Sequence, residues 1–167
     1  MLAVADTSPI NDLVLLDHAA LLPGLYTRVF LPPAVLLELR DPEAPEAVRA
    51  WAANLTAWSE GRHPPPLVGV ESLAHLGAGE QEAIMLAREL RADFLRLDEE
   101  DGRPAAVSRA LNVTGTLGVL ERVAERDLLD LPGTLARLLT TTFRVGDALL
   151  QAMLARDAAR KSRRSSA

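Results

Sequence analysis

Short segments with few polar positions alternate along this chain with longer stretches in which apolar residues return every three to four positions. Leu2–Ala5, Arg28–Leu31, Phe94–Leu97 and Asn112–Thr114 are too short for stable helices and are bounded by charged or turn-forming residues, so they predict strands. Leu67–Val70 predicts a further short strand at a sheet edge. Between them, Leu13, Leu16, Ala20 and Leu21 keep helical spacing, as do Val35, Leu36 and Leu39, then Val48, Trp51, Ala52 and Leu55, then Ala83, Ile84, Ala87 and Leu90. Thr7-Ser8-Pro9 reads as an entry to the first helix, with Ser8 as N-cap and Pro9 in the first helical position. Pro32-Pro33 opens the second helix and Asp41-Pro42 caps the third. Gly61 to Pro66 reads as a loop. Gly77-Ala78-Gly79 leads into a helix taken to begin at Glu80, and Gly102-Arg103-Pro104 interrupts before a helix over 105–111. Helices over 117–124, 132–140 and 146–160 follow.

Strands separated by helices predict an α/β fold, a three-layer α/β/α sandwich with a central, mainly parallel sheet. One domain is expected over residues 1–160, with a disordered basic tail over 161–167.

Composition narrows the chemistry. The 167 residues include no cysteine, which removes disulfides, thiol catalysis and cysteine-based metal sites. No apolar run approaches a membrane span, and the amino-terminal residues lack the pattern of a signal peptide, so a cytoplasmic location is expected. The net charge is −5, although Arg156, Arg160, Lys161, Arg163 and Arg164 cluster near the carboxyl terminus. An acidic body argues against sequence-independent coating of nucleic acid, but not against an enzyme whose acids gather around cations. The signatures of a P-loop, a dinucleotide fold and a nucleophile elbow are all missing.

In a sheet of this kind, side chains that do chemistry gather outside the carboxyl ends of the strands, near the point where strand order reverses. Asp6 and Asp98 end two of the expected strands and emerge at that rim. Glu38 lies on the helix after the second strand, and Glu80 opens the helix after Gly79. Carboxylates forced together repel one another unless a hard divalent cation supplies opposing charge, which points to Mg²⁺ or Mn²⁺. His18, His63 and His75 show no ligand spacing, so zinc is a poor fit. Each acid alone also has a plainer reading. Asp6 reads as a helix cap, Glu38 as a solvated helical residue, and Glu80 and Glu82 as first-turn acids favoured by the helix dipole. Asp98 reads with Glu99, Glu100 and Asp101 as a solvated acidic turn. Helix phase puts Glu80 on the sheet side, with Ala83 and Ile84, and turns Glu82 about 200° away, mostly to solvent.

Taken in order, Val4-Ala-Asp6-Thr-Ser-Pro9, Leu31-Pro-Pro-Ala-Val-Leu-Leu-Glu38-Leu, Gly79-Glu80-Gln-Glu82-Ala-Ile-Met-Leu-Ala87, Phe94-Leu-Arg-Leu-Asp98-Glu-Glu-Asp-Gly102-Arg103 and Val113-Thr-Gly-Thr-Leu-Gly-Val-Leu120 resemble the PIN-domain family. The likeness is strongest to the branch allied to VapC-type toxins, and it runs from about residue 2 to about residue 125. It implies the three-layer fold and a divalent-metal-dependent endoribonuclease that hydrolyses single-stranded RNA, the toxin of a toxin–antitoxin pair. Asp6, Glu38, Glu80 and Asp98 match the family's four acids, and the resemblance makes them both catalytic residues and ligands of one or two Mg²⁺ or Mn²⁺ ions. Typical members have Asp as the third acid, where this chain has Glu80, with Glu82 two positions on. On the same footing Ser8 and Arg103 would contact substrate phosphate. The implied partners are RNA, a small antitoxin protein and, in a homodimer, a second copy, with no membrane. The competing class is a catalytically weak or inactive PIN-like binding module that acts through an antitoxin-like partner or self-association.

Overall fold

The structure is a computed structural model that describes residues 1–66, 71–98 and 102–165. The chain divides into two compact units, Met1–Thr116 and Leu117–Ala167. In the first, β1 (Leu2–Ala5), α1 (Thr7–Leu15), β2 (Arg28–Leu31), α2 (Pro33–Leu39), α3 (Glu46–Ala53), β3 (Ser59–Gly61), α4 (Ala78–Leu90), β4 (Phe94–Arg96), α5 (Gly102–Val107) and β5 (Val113–Thr114) follow in order. A helix α6 (Thr116–Glu125) starts on the last residue of this unit, and α7 (Leu131–Leu138) and α8 (Asp147–Ser165) belong to the second.

The strands form one sheet in the order β3-β2-β1-β4-β5, with every neighbouring pair parallel. This is the expected α/β sandwich. Chain order runs outward from β1 through β2 to β3, then jumps across to β4 and β5, so strand order reverses between β1 and β4. In register, Val4 stands beside Phe30 on one side and Leu95 on the other. Val4, Phe30, Leu95 and Leu97 pack with Leu73, Ala83, Ile84, Leu86 and Ala87 into an apolar core that clamps α4 onto the sheet. On the alternate face of β4, Arg96 is fully buried, its guanidinium 5.8 Å from the centre of the Tyr26 ring.

Several boundaries differ from the sequence expectation, for local reasons. Helix α1 begins at Thr7, with Asp6 rather than Ser8 in the N-cap position. Helix α3 begins after Pro45 rather than Asp41. Pro45 would fall at the fourth position of a helix capped by Asp41, where the first amide donor is required and proline has none. Ser59–Gly61 forms the edge strand β3, which has too little apolar pattern to be read from sequence. Gly102-Arg103-Pro104 starts α5 instead of interrupting the chain, since proline is tolerated in a first helical turn. The strand expected at Leu67–Val70 and the acids Glu99, Glu100 and Asp101 lie outside the described residues.

In the second unit α8 continues to Ser165, past the expected end at residue 160. Four of its five basic residues are held by carboxylates. Arg156 pairs with Glu121 at 2.6 Å, Arg160 with Asp127 and Asp157 at 2.7 Å each, Lys161 with Asp157 at 2.8 Å, and Arg164 with Asp127. Among the described residues no helix is long and apolar enough to cross a membrane.

Candidate functional site

Because all strands run parallel, their carboxyl ends share one edge, and the predicted acids lie along it. Asp6 follows β1 directly, its backbone N–H donating to Arg96 O across the gap between β1 and β4 at 3.0 Å. Its side chain is 3% exposed and makes no capping bond to α1, so the carboxylate is not spent on the helix it precedes. Glu38 projects from α2 and accepts a hydrogen bond from the Thr7 hydroxyl, which ties it to the residue after Asp6.

These two carboxylates converge on Gly79. A Cβ added at that position would lie 3.0 Å from both Asp6 Oδ1 and Glu38 Oε1. The next residue is Glu80, 6% exposed and third in α4, whose Oε2 accepts from Gly77 N at 3.0 Å. Its other oxygen, Oε1, is buried with no hydrogen-bond partner among the described residues. That is an expensive arrangement for a carboxylate unless something else takes up the oxygen. Gly102 makes room for it, since a Cβ there would come within 2.5 Å of Oε1.

Asp98 occupies the far side of the edge and is firmly held. Its Oδ1 accepts from Thr116 N at 2.7 Å and its Oδ2 from Thr116 Oγ1 at 2.5 Å, at the start of α6. It crowds Gly115, and a Cβ on that glycine would also stand 2.7 Å from Arg103 Nη2. The carboxylate and the guanidinium therefore converge on one glycine. Ser8 sits half-buried in the first turn of α1.

Sequence reasoning missed three participants. Asp12 on α1 is 5% exposed, and its carboxyl is pushed up from 3.8 to about 6 by burial and then by the Asp98 charge, with bonds from Asn11 and Thr116 pulling the other way. Its spacing from Pro9 and Leu16, both buried, was the available signal. Thr7 and Thr116 each follow a residue of the site directly and fix an acid by its oxygens. Glu82 corrects the helix-phase expectation. It is half-buried, and its Oε2 accepts from Ala34 N at 2.8 Å, capping the start of α2 instead of facing solvent.

Among the described residues no three carboxylates or imidazoles close into a metal cage. The donors stand as Asp6 with Glu38 at Gly79, Asp98 with Asp12, and a buried, unpartnered oxygen of Glu80 at Gly102. An all-oxygen set of this kind fits Mg²⁺ or Mn²⁺, because Mg²⁺ keeps several of its waters and takes only one or two carboxylates from a protein. The unsatisfied Glu80 Oε1 is the observation that favours the fit.

The chain matches the family model described as PIN domain over residues 2–158. Among solved structures it is similar to a PilT N-terminus domain protein from the hyperthermophilic archaeon Sulfolobus solfataricus P2, at 18% identity and a TM-score of 0.46, covering 87% of this chain and 100% of that one. No curated protein matches it.

Proposed function

The chain belongs to the PIN-domain family, whose members are in general metal-dependent nucleases, and from that premise we propose that it is a divalent-metal-dependent endoribonuclease acting on single-stranded RNA. The observation that carries the reading is the convergence of Asp6 and Glu38 on Gly79, the residue before Glu80, whose Oε1 is buried with no hydrogen-bond partner among the described residues. Asp6 and Glu38 would hold the cation. When bound, the ion polarises the scissile phosphate and lowers the pKa of an attacking water. Glu80 Oε1 would serve as the base, its carboxylate oriented by the Gly77 amide through Oε2. Thr116 locks Asp98 so that it faces the same edge in one geometry. Arg103, converging with Asp98 on Gly115, would meet a non-bridging phosphate oxygen, and Ser8 would add a hydroxyl donor. As the toxin of a pair, the enzyme would be silenced by a small antitoxin-like protein that lays an arginine or lysine among these acids, in place of the cation.

The test is cleavage of single-stranded RNA by metal-stripped protein with and without added Mn²⁺. Wild type should cut only with metal, and Asp6→Asn and Glu80→Gln should each lose at least about 100-fold in rate while staying folded. A well-folded wild type that cuts no RNA with any divalent ion would leave the binding module as the reading.

A further inference from the structure

Helix α2 carries a second set of residues on the side away from Glu38. Pro33, Leu36, Leu37 and Arg40 share one face by helical spacing, while Val35 and Leu39 fill the buried one. Leu37 is 73% exposed. With Gly61, Arg62 and His63, at and just after the end of β3, these residues line a groove of about 340 Å³. Leu36 packs onto the bare backbone of Gly61, where a Cβ would meet its Cδ1 at 2.9 Å.

The charge around the groove is one-sided. Among the described residues no acidic one lines it. Arg62 lies 5.5 Å from the centre of the Phe30 ring, which steadies the guanidinium, and among the described residues neither Arg62 nor His63 forms an ion pair. Arg40 spends Nε and Nη2 on the Ala52 carbonyl. Elsewhere Arg28, Arg156, Arg160, Lys161 and Arg164 all sit against carboxylates. In a chain of net charge −5, two arginines and a histidine around apolar side chains make a local field that suits a phosphodiester carrying a base. The groove also lies on the edge of the sheet that holds the acids. Gly61 ends β3 as Ala5 ends β1, two strands away, or about 10 Å at the usual strand spacing.

We infer that this groove is a substrate subsite holding a nucleotide that flanks the reacting phosphate of single-stranded RNA. Arg62 and His63 take a phosphate, and Pro33, Leu36 and Leu37 take the face of a base. The inference rests on the nuclease reading above and names where its substrate lies.

Binding and cleavage are measured separately. Affinity for a labelled single-stranded RNA is read by anisotropy in EDTA, and kcat and KM are read with Mn²⁺, for wild type, the double variant Arg62→Gln/His63→Gln, and Leu37→Asn. The exposed Leu37 serves as the second variant should loss of the Arg62–Phe30 contact unsettle the fold. The double variant should lose about tenfold in affinity, with a matching rise in KM, a much smaller change in kcat, and a salt slope reduced by about one. Leu37→Asn should weaken binding with the salt slope unchanged. If wild type cuts RNA and all variants bind and cut alike, the subsite is overturned and the nuclease stands. If wild type neither binds nor cuts RNA, both fall. Capture of an acidic, leucine-rich peptide that the double variant abolishes, with RNA affinity untouched, would assign the groove to a protein partner and overturn the subsite.

Discussion

Asp12 shows how one side chain registers the cost of the site. It is buried beside Asp98, and burial together with that charge raises its carboxyl from 3.8 to about 6. The folded chain therefore holds this proton more tightly than the unfolded chain. Stability from this group is full at pH values below the unfolded pKa, and it declines as pH rises from about 4 through about 6. Asp12→Asn removes the charge and keeps the shape. In metal-free buffer near pH 8 it should stabilise the fold by about 1–3 kcal/mol, and near pH 4 the gain should vanish, as read from melting curves. An equal gain at both pH values would mean that packing, not charge, is responsible. Thr7 and Thr116 work at the same scale, each fixing an acid that sequence alone leaves free to rotate.

Among the elements, α4 does most to shape the site. Its inner face, Ala83, Ile84 and Ala87, seats it on the sheet and carries Gly79 and Glu80 to the carboxyl edge. The stripe was legible in sequence, and it placed Glu80 correctly on the sheet side. It misjudged Glu82, because a helical period says which residues turn from the sheet but not that the start of α2 waits there for a cap. Gly79 is where the element meets the chemistry. Alanine is the better helix former by about 1 kcal/mol, but its Cβ would enter the space between Asp6 and Glu38. Gly79→Ala should leave the melting temperature unchanged or slightly raised and cut RNA cleavage at least about tenfold. Unchanged turnover with Mn²⁺ would show that nothing needs that space.

For the molecule as a whole, charge is organised by pairing more than by composition. The basic residues clustered near the carboxyl terminus lie on α8, and Arg156, Arg160, Lys161 and Arg164 are engaged there by Glu121, Asp127 and Asp157. Burial alone would raise the Asp157 carboxyl, but bonds from Lys161 and Arg160 outweigh it and hold the group below its ordinary value. Its contribution is therefore present above the unfolded pKa and is lost as pH falls through the folded one. Asp157→Asn should cost about 1–2 kcal/mol at neutral pH, with faster amide exchange in α8, and the difference from wild type should close in strong acid. A constant difference at all pH values would point to packing. By itself the sequence determined the alternation of strands and helices, the core stripe of α4 and the place of Asp6 and Asp98 just past two strands, because apolar period and strand-end position are local properties of the chain. It could not show β3, whose three residues become a strand only beside β2, nor the burial of Asp12, nor the use of Gly79, Gly102 and Gly115 as spaces for carboxylate oxygens. Those depend on residues distant in the chain coming within a few ångströms, and only the crossing from β3 back to β4 brings them there.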